Sequence, residues 1–164
     1  LMTMHRPSNV DNKEILEPII KFLNDSMIPF PIIWPIHPRT KKQLIVFNLW
    51  NEVLVNKKLI LLDPIGYHAM LKLNSNSEIM LTDSGGIQEE CTVLGTPCVT
   101  LRWNTERPIT LIENGGVSIL VGNEIKSIKK GFKELININM DIKNPKYWDG
   151  KVAQRCIKAI LNYK

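Results

Sequence analysis

The sequence predicts an α/β fold in which a doubly wound parallel sheet is covered by helices on both faces. Three observations lead there. Short apolar runs rich in β-branched residues alternate with segments of helical periodicity along the whole chain. The run Ile79-Met80-Leu81-Thr82 lacks the polar alternation of a half-solvated strand, as a strand buried on both faces does. It leads into Asp83-Ser84-Gly85-Gly86 and then into Ile87, Cys91 and Leu94 at helical spacing, stopped by Gly95 with Pro97 just beyond.

The elements follow in order. Leu1-Met2-Thr3-Met4 reads as a strand, and Asn12 to Asn24 as a helix carrying Ile15, Ile19, Ile20 and Leu23 on one face. Pro31 to Ile36 is an isoleucine-rich strand, followed by a short helix after Lys41, the strand Leu59-Ile60-Leu61-Leu62 and a helix from Gly66 to Leu73. In the unit that begins at Ile79, the adjacent glycines break the strand, because glycine adopts backbone angles closed to other residues and leaves no Cβ near a ligand. The helix of that unit runs from Ile87 to Leu94. Beyond it come the strand Val99-Thr100-Leu101, a short helix from Ile109 to Glu113, a last strand from Ser118 to Val121 and a helix from Glu124 to Ile136. Asn137 to Pro145 reads as a connection to a final helix from Gly150 to Asn162.

Composition narrows the class. With 164 residues, 44% of them hydrophobic, one domain (residues 1–164) with a full core is expected. Cys91, Cys98 and Cys156 are an odd number without C-x-x-C spacing, and they read as small buried residues in a reducing setting rather than as a disulfide framework or metal site. No apolar stretch approaches the ~20 residues of a membrane span, so a cytoplasmic chain without a membrane partner is expected. The net charge of +5 is dispersed among acidic residues, with no long basic run or aromatic-basic motif, so no nucleic-acid partner is expected.

The chemistry gathers where the strands end. The first turn of the helix after Ser84 carries unsatisfied N–H groups and partial positive charge, a place for phosphate. Glu90 lies four residues after Gly86, on the same face and ~6 Å further along the axis at 1.5 Å per residue. That is the offset from a diphosphate to the ribose diol of one nucleotide. A bare S-G-G is also an ordinary βα turn, and Glu89-Glu90 also complement a helix dipole. His5-Arg6, His37-Pro38-Arg39, Asp63-Pro64, Asp83-Ser84-Gly85-Gly86 and Arg102 with Asn104-Thr105-Glu106-Arg107 follow successive strands. Ligands of parallel α/β sheets bind at that rim, and arginine grips phosphate oxygens in a planar fork. Glu106 reads as structural.

The string Leu81-Thr82-Asp83-Ser84-Gly85-Gly86-Ile87-Gln88-Glu89-Glu90, with Leu94-Gly95-Thr96-Pro97 and Thr105-Glu106-Arg107-Pro108, resembles the signature of the non-hydrolysing UDP-N-acetylglucosamine 2-epimerases. The likeness continues at Thr3-Met4-His5-Arg6-Pro7-Ser8-Asn9-Val10, Pro35-Ile36-His37-Pro38-Arg39, Asp63-Pro64-Ile65-Gly66-Tyr67 and Leu120-Val121-Gly122. It covers nearly the whole chain and matches the C-terminal, Rossmann-like half of a two-domain GT-B fold. Residues 142–164 then correspond to a linker and the helix that crosses back to the other domain.

The resemblance implies interconversion of UDP-N-acetylglucosamine and UDP-N-acetylmannosamine by elimination and re-addition of UDP, without cofactor or metal. It implies that His5 is the active-site histidine, that Ser84, Gly85, Gly86, Glu90, Arg107 and Arg6 hold the nucleotide, and that Met70 lies against the uracil. By ordinary spacing Met70 is a core residue. The partners implied are UDP and UDP-N-acetylhexosamine, with a homodimer for the full-length protein. Two departures stand out: Ile109 follows Thr-Glu-Arg-Pro where the family has an acid, and Cys91 replaces an alanine. A GT-B glycosyltransferase domain and a non-enzymatic nucleotide-binding module are the other readings. The family's proton-handling acids lie in its N-terminal domain, whose motifs find no match here, so these 164 residues alone are expected to bind UDP weakly without turnover.

Overall fold

The computed structural model describes residues 1–138 and 145–163. Chain order is β1 (Met2–Thr3), α1 (Pro7–Val10), α2 (Lys13–Phe22), β2 (Ile32–Pro35), α3 (Pro38–Val46), α4 (Trp50–Val55), β3 (Leu59–Leu62) and α5 (Tyr67–Asn74). Then follow β4 (Met80–Thr82), α6 (Gly85–Leu94), β5 (Cys98–Thr100), two 3-10 turns (Pro108–Thr110 and Ile112–Asn114), β6 (Ser118–Leu120), α7 (Ile125–Ile136) and α8 (Val152–Leu161). All strand pairs are parallel.

The strands form two ladders, β1-β4-β5-β6 and β2-β3, and β2 packs beside β1 without joining its ladder. The spatial order is thus β3-β2-β1-β4-β5-β6, the doubly wound order in which the chain changes direction between β1 and β4. The doubly wound parallel arrangement expected from the sequence is present, with the ladder interrupted between β2 and the two-residue β1. β3 forms the edge and is only partly buried.

Each face of the sheet has its own core. Leu81 joins Met2, Leu16, Ile19, Ile20, Ile128 and Phe132, while its neighbour Met80 packs with Cys91, Cys98 and Val117 on the opposite side. That split follows from the two-residue period of a strand. Phe22 of α2 meets Phe132 of α7 edge-on at 5.7 Å, the favoured geometry for an aromatic pair. Asn12 caps α2 through its side chain, accepting from the N–H of Glu14.

Several expected boundaries move. The helix placed after Lys41 starts at Pro38, where His37 caps it and proline occupies the first helical position, whose N–H needs no partner. The helix placed at Ile109 to Glu113 is two separate 3-10 turns. The helix placed at Ile87 starts at Gly85, so Gly85 and Gly86 belong to its first turn, and neither has positive φ. Their value lies in the missing Cβ and not in unusual backbone angles. Gly95, by contrast, ends α6 in the left-handed conformation at φ 79°. Cys91 and Cys98 are buried as free thiols, whereas Cys156 is exposed on α8. Of the expected linker 142–164, residues 142–144 and 164 lie outside the described residues, and α8 buries none of its side chains. Among the described residues no helix is long and apolar enough to cross a membrane.

Candidate functional site

Because the strands are parallel, the residues following β1, β2, β3, β4 and β5 meet at one rim beside the point where the winding reverses. A pocket of about 180 Å³ there is lined by Thr3, Met4, His5, Pro35, Ile36, His37, Pro64, Ile65, Met70, Ser84 and Ile87. His5, Met70 and Ser84 from the sequence-derived set share it. The rings of His5 and His37 lie 5.3 Å apart, and His37 Nδ1 accepts the backbone N–H of Arg39 at 3.1 Å. Arg39 itself turns away to pair with Asp11.

The floor of the site is fastened by Asp83, which is fully buried. Its carboxylate accepts from the backbone N–H of His5 (3.0 Å), the backbone N–H of Arg6 (2.8 Å) and Asn9 Nδ2 (3.1 Å), and it pairs with His5 Nδ1 at 3.0 Å. Arg6 Nε in turn donates to the Asp83 carbonyl at 2.8 Å. Burial alone drives the Asp83 carboxyl up, but the donors from His5 and Arg6 together outweigh it and hold the group below the usual carboxylate range. The same bond to Asp83 raises the His5 imidazole above its ordinary value, against its partial burial and the nearby Arg6 charge. Arg6 is thereby placed at the rim as a brace of the Asp83 loop.

Ser84 caps α6, its hydroxyl accepting from the N–H of Ile87 at 3.4 Å, while Ser84 N–H donates to Thr82 Oγ1 at 3.0 Å. Over the first turn of this helix lie two guanidinium groups. An ideal Cβ on Gly85 would stand 2.5 Å from Arg107 Nη1 and 3.2 Å from Arg102 Nη1, so only glycine admits this approach. Gly86 has open space where its Cβ would project, bounded by Ser84 Oγ at 3.9 Å. Arg102 is buried and its Nη1 has no partner. Arg102 Nη2 bonds Glu106 Oε2 at 2.6 Å, and Glu106 also pairs with Arg107. Arg102 pulls the Glu106 carboxyl down to about 2, with a lesser pull from Arg107. Glu106 therefore holds two cations side by side.

Arg107 Nε lies 2.9 Å from Glu89 Oε2, an ion pair without hydrogen-bond alignment. The loop that carries Arg107 is tied to α6 by Gln88, which accepts from Thr105 Oγ1 at 3.1 Å and donates to Thr110 Oγ1 at 3.4 Å. Glu90 is partly buried, and its Oε2 is enclosed without a partner. Burial first, and Glu89 second, raise the Glu90 carboxyl above its ordinary value. A ligand offering hydroxyl donors would satisfy that oxygen.

The guanidinium pair at the helix start, with an unsatisfied carboxylate one turn on, suits a nucleoside diphosphate, and the sequence comparisons converge on the same chemistry. Residues 1–161 match the model of the family described as UDP-N-acetylglucosamine 2-epimerase. The chain belongs to the UDP-N-acetylglucosamine 2-epimerase family. It is 44% identical to the UDP-N-acetylglucosamine 2-epimerase of Methanocaldococcus jannaschii over 99% of this chain and 44% of that protein. It is 39% identical to the enzyme of that name from Methanococcus maripaludis over 100% of this chain and 44% of that protein. The crystal structure of the M. jannaschii UDP-GlcNAc 2-epimerase in complex with UDP-GlcNAc and UDP superposes with a TM-score of 0.86 at 43% identity, over 98% of this chain and 44% of that one. The chain therefore spans less than half the length of these epimerase relatives.

Asn9 and Gln88 were not singled out by residue type and spacing, and Asp83 was named at the rim without a task of its own. The signal for Asp83 is an acid directly after a fully buried strand, where a carboxylate persists only if donors surround it. Asn9 and Gln88 carry no comparable signal, since each acts through partners distant in sequence.

Proposed function

We propose that this chain is the UDP-binding half of a two-domain UDP-N-acetylglucosamine 2-epimerase. The observation that carries the reading is the rim itself: Arg102 and Arg107 crowd Gly85 at the start of α6, and the unpartnered Glu90 Oε2 lies one turn along the same helix. The diphosphate takes the helix start with Ser84, Gly85, Gly86 and Arg107, and the ribose diol donates to Glu90. The uracil extends toward Met70, and His5 with Arg6 faces the sugar side of the diphosphate. A diphosphate leaving C1 is stabilised by such preorganised donors and cations. The likeness to enzymes named for this reaction supports the substrate. A cytoplasmic setting and a homodimer of the full-length protein come with the family reading alone.

Among the described residues, no carboxylate lines the His5 pocket. A base that removes the C2 proton needs to stand within hydrogen-bond reach of that carbon's substituents, and this half does not supply one there. The 164-residue chain then binds UDP without converting the sugar. Calorimetry with UDP, followed by NMR of UDP-N-acetylglucosamine incubated with the chain, tests both halves of the reading. Absence of UDP binding removes the site, and appearance of UDP-N-acetylmannosamine shows that this half is catalytically sufficient.

A further inference from the structure

His5 and Asp83 are 78 residues apart in sequence, and His5 Nδ1 lies 3.0 Å from Asp83 Oδ1 as an ion pair. Both oxygens of the Asp83 carboxylate accept the backbone N–H of His5, Oδ2 at 3.0 Å and Oδ1 at 3.2 Å. Oδ2 takes the backbone N–H groups of His5 and Arg6 and the amide of Asn9, which fastens the loop after β1 to the end of β4. Oδ1 faces the imidazole, 3.0 Å from Nδ1. The backbone of His5 and its ring are thus fixed by one buried group. With Nδ1 spent on Asp83, Nε2 is left on the opposite edge of a ring that lines the pocket and is 40% exposed.

We propose that Asp83 is the positioning residue for His5: it accepts from Nδ1–H and fixes the ring so that Nε2–H donates to the oxygen of the departing diphosphate. This rests on the UDP reading above. As the C1–O bond breaks, its electron pair stays on that oxygen, and the Nε2–H bond to it strengthens as charge develops. No proton leaves His5, and the proton lost from C2 goes to a base outside this pocket. The charged and titratable groups that face His5 are Asp83 from the turn after β4, Arg6 just before α1 and His37 just before α3. Asp83 is the only anion among them and touches the ring directly. It favours the doubly protonated imidazolium, which donates at Nε2 and cannot serve as a base there. In the neutral ring the same pairing leaves Nε2 bare, so the protonation of Nε2 decides between donor and base.

Long-range proton–nitrogen NMR of the 15N-labelled chain reads both ring nitrogens of His5 directly. The expected result is Nδ1 protonated throughout and Nε2 protonated below a midpoint above the ordinary ~6.5 of histidine. Asp83→Asn is expected to lower that midpoint. In the full-length enzyme the same variant is expected to reduce kcat on the order of 100-fold, the scale of losing one preorganised donor, with KM little changed. A bare Nδ1 in the wild-type chain overturns the proposal without any variant, and so does an unshifted midpoint in a folded Asp83→Asn. A chain that shows the expected imidazolium yet fails to bind UDP in calorimetry overturns the nucleotide reading, and with it the task given to Nε2, while the pairing itself stands.

Discussion

Gly85 and Arg107 are separated by so little space that a methyl group on residue 85 would stand 2.5 Å from Arg107 Nη1. The obstructing atom is the tip of a long side chain, which can swing away. Gly85→Ala therefore leaves the fold intact, and because residue 85 opens the helix and does not lie in its interior, unfolding by urea shows stability close to the parent's. UDP affinity falls by about 1.5–3 kcal/mol, the range for a lost bond to a charged group. Undiminished UDP binding in Gly85→Ala would take Arg107 out of the nucleotide site.

Gly116 presents the opposite case. A Cβ there would meet the Thr110 carbonyl oxygen at 2.1 Å, and a backbone atom cannot step aside as a side-chain tip does. Thr110 is buried and bonds Gln88 and the Arg107 carbonyl, so its displacement strains the loop that carries Arg107. Gly116→Ala costs about 1–3 kcal/mol, the range for overpacking. A denaturation midpoint equal to the parent's would contradict the contact.

Glu90 carries opposing effects. Its carboxyl is raised by burial and by Glu89, so the charged form is disfavoured in the folded chain. A carboxyl raised on folding weakens the fold fully above that raised value, and the penalty shrinks as pH falls through it and is gone below the unfolded value. Glu90→Gln removes the charge, so the ligand-free variant melts higher than the parent at pH 7. Its UDP affinity drops, because an amide replaces the carboxylate acceptor of the ribose diol. A lower melting temperature together with unchanged UDP affinity would remove both assignments.

The His5 and Asp83 pair sets a pH window for stability. His5 is raised on folding, so its contribution is complete below the unfolded value of ~6.5 and is lost as pH climbs through the folded value. Asp83 is lowered on folding, so its contribution is present above the unfolded value of ~3.9 and is lost as pH falls through the folded one. The stability difference between wild type and His5→Asn is therefore largest near pH 5–6 and shrinks toward pH 9, read by urea titration. A difference that grows toward alkaline pH would reverse the sign assigned to His5.

The order of elements was determined locally. Ile19, Ile20 and Leu23 at helical spacing, the unbroken apolar run ending at Thr82, and Gly95 with its left-handed φ depend on neighbours a few residues away. Ser84 as a cap and Glu90 one turn along were legible for the same reason, since helix geometry fixes their offset whatever surrounds them. The resemblance carried in the D-S-G-G-I-Q-E-E string pointed to the same family as the later comparisons. The tertiary structure alone decided which charges face one another. Residue type gave Arg107 and Arg102 as phosphate-gripping side chains, but only packing brings both over Gly85 and leaves Glu106 between them. Likewise Asp83 was an acid at the end of a strand until β1 and β4 came into register, with Thr3 opposite Thr82. That pairing delivers His5, Arg6 and Asn9 to one buried carboxylate. The partners lie more than 70 residues apart, and no local periodicity encodes such a contact. It forms because a carboxylate taken out of water must collect donors, and the strand register determines which donors are within reach.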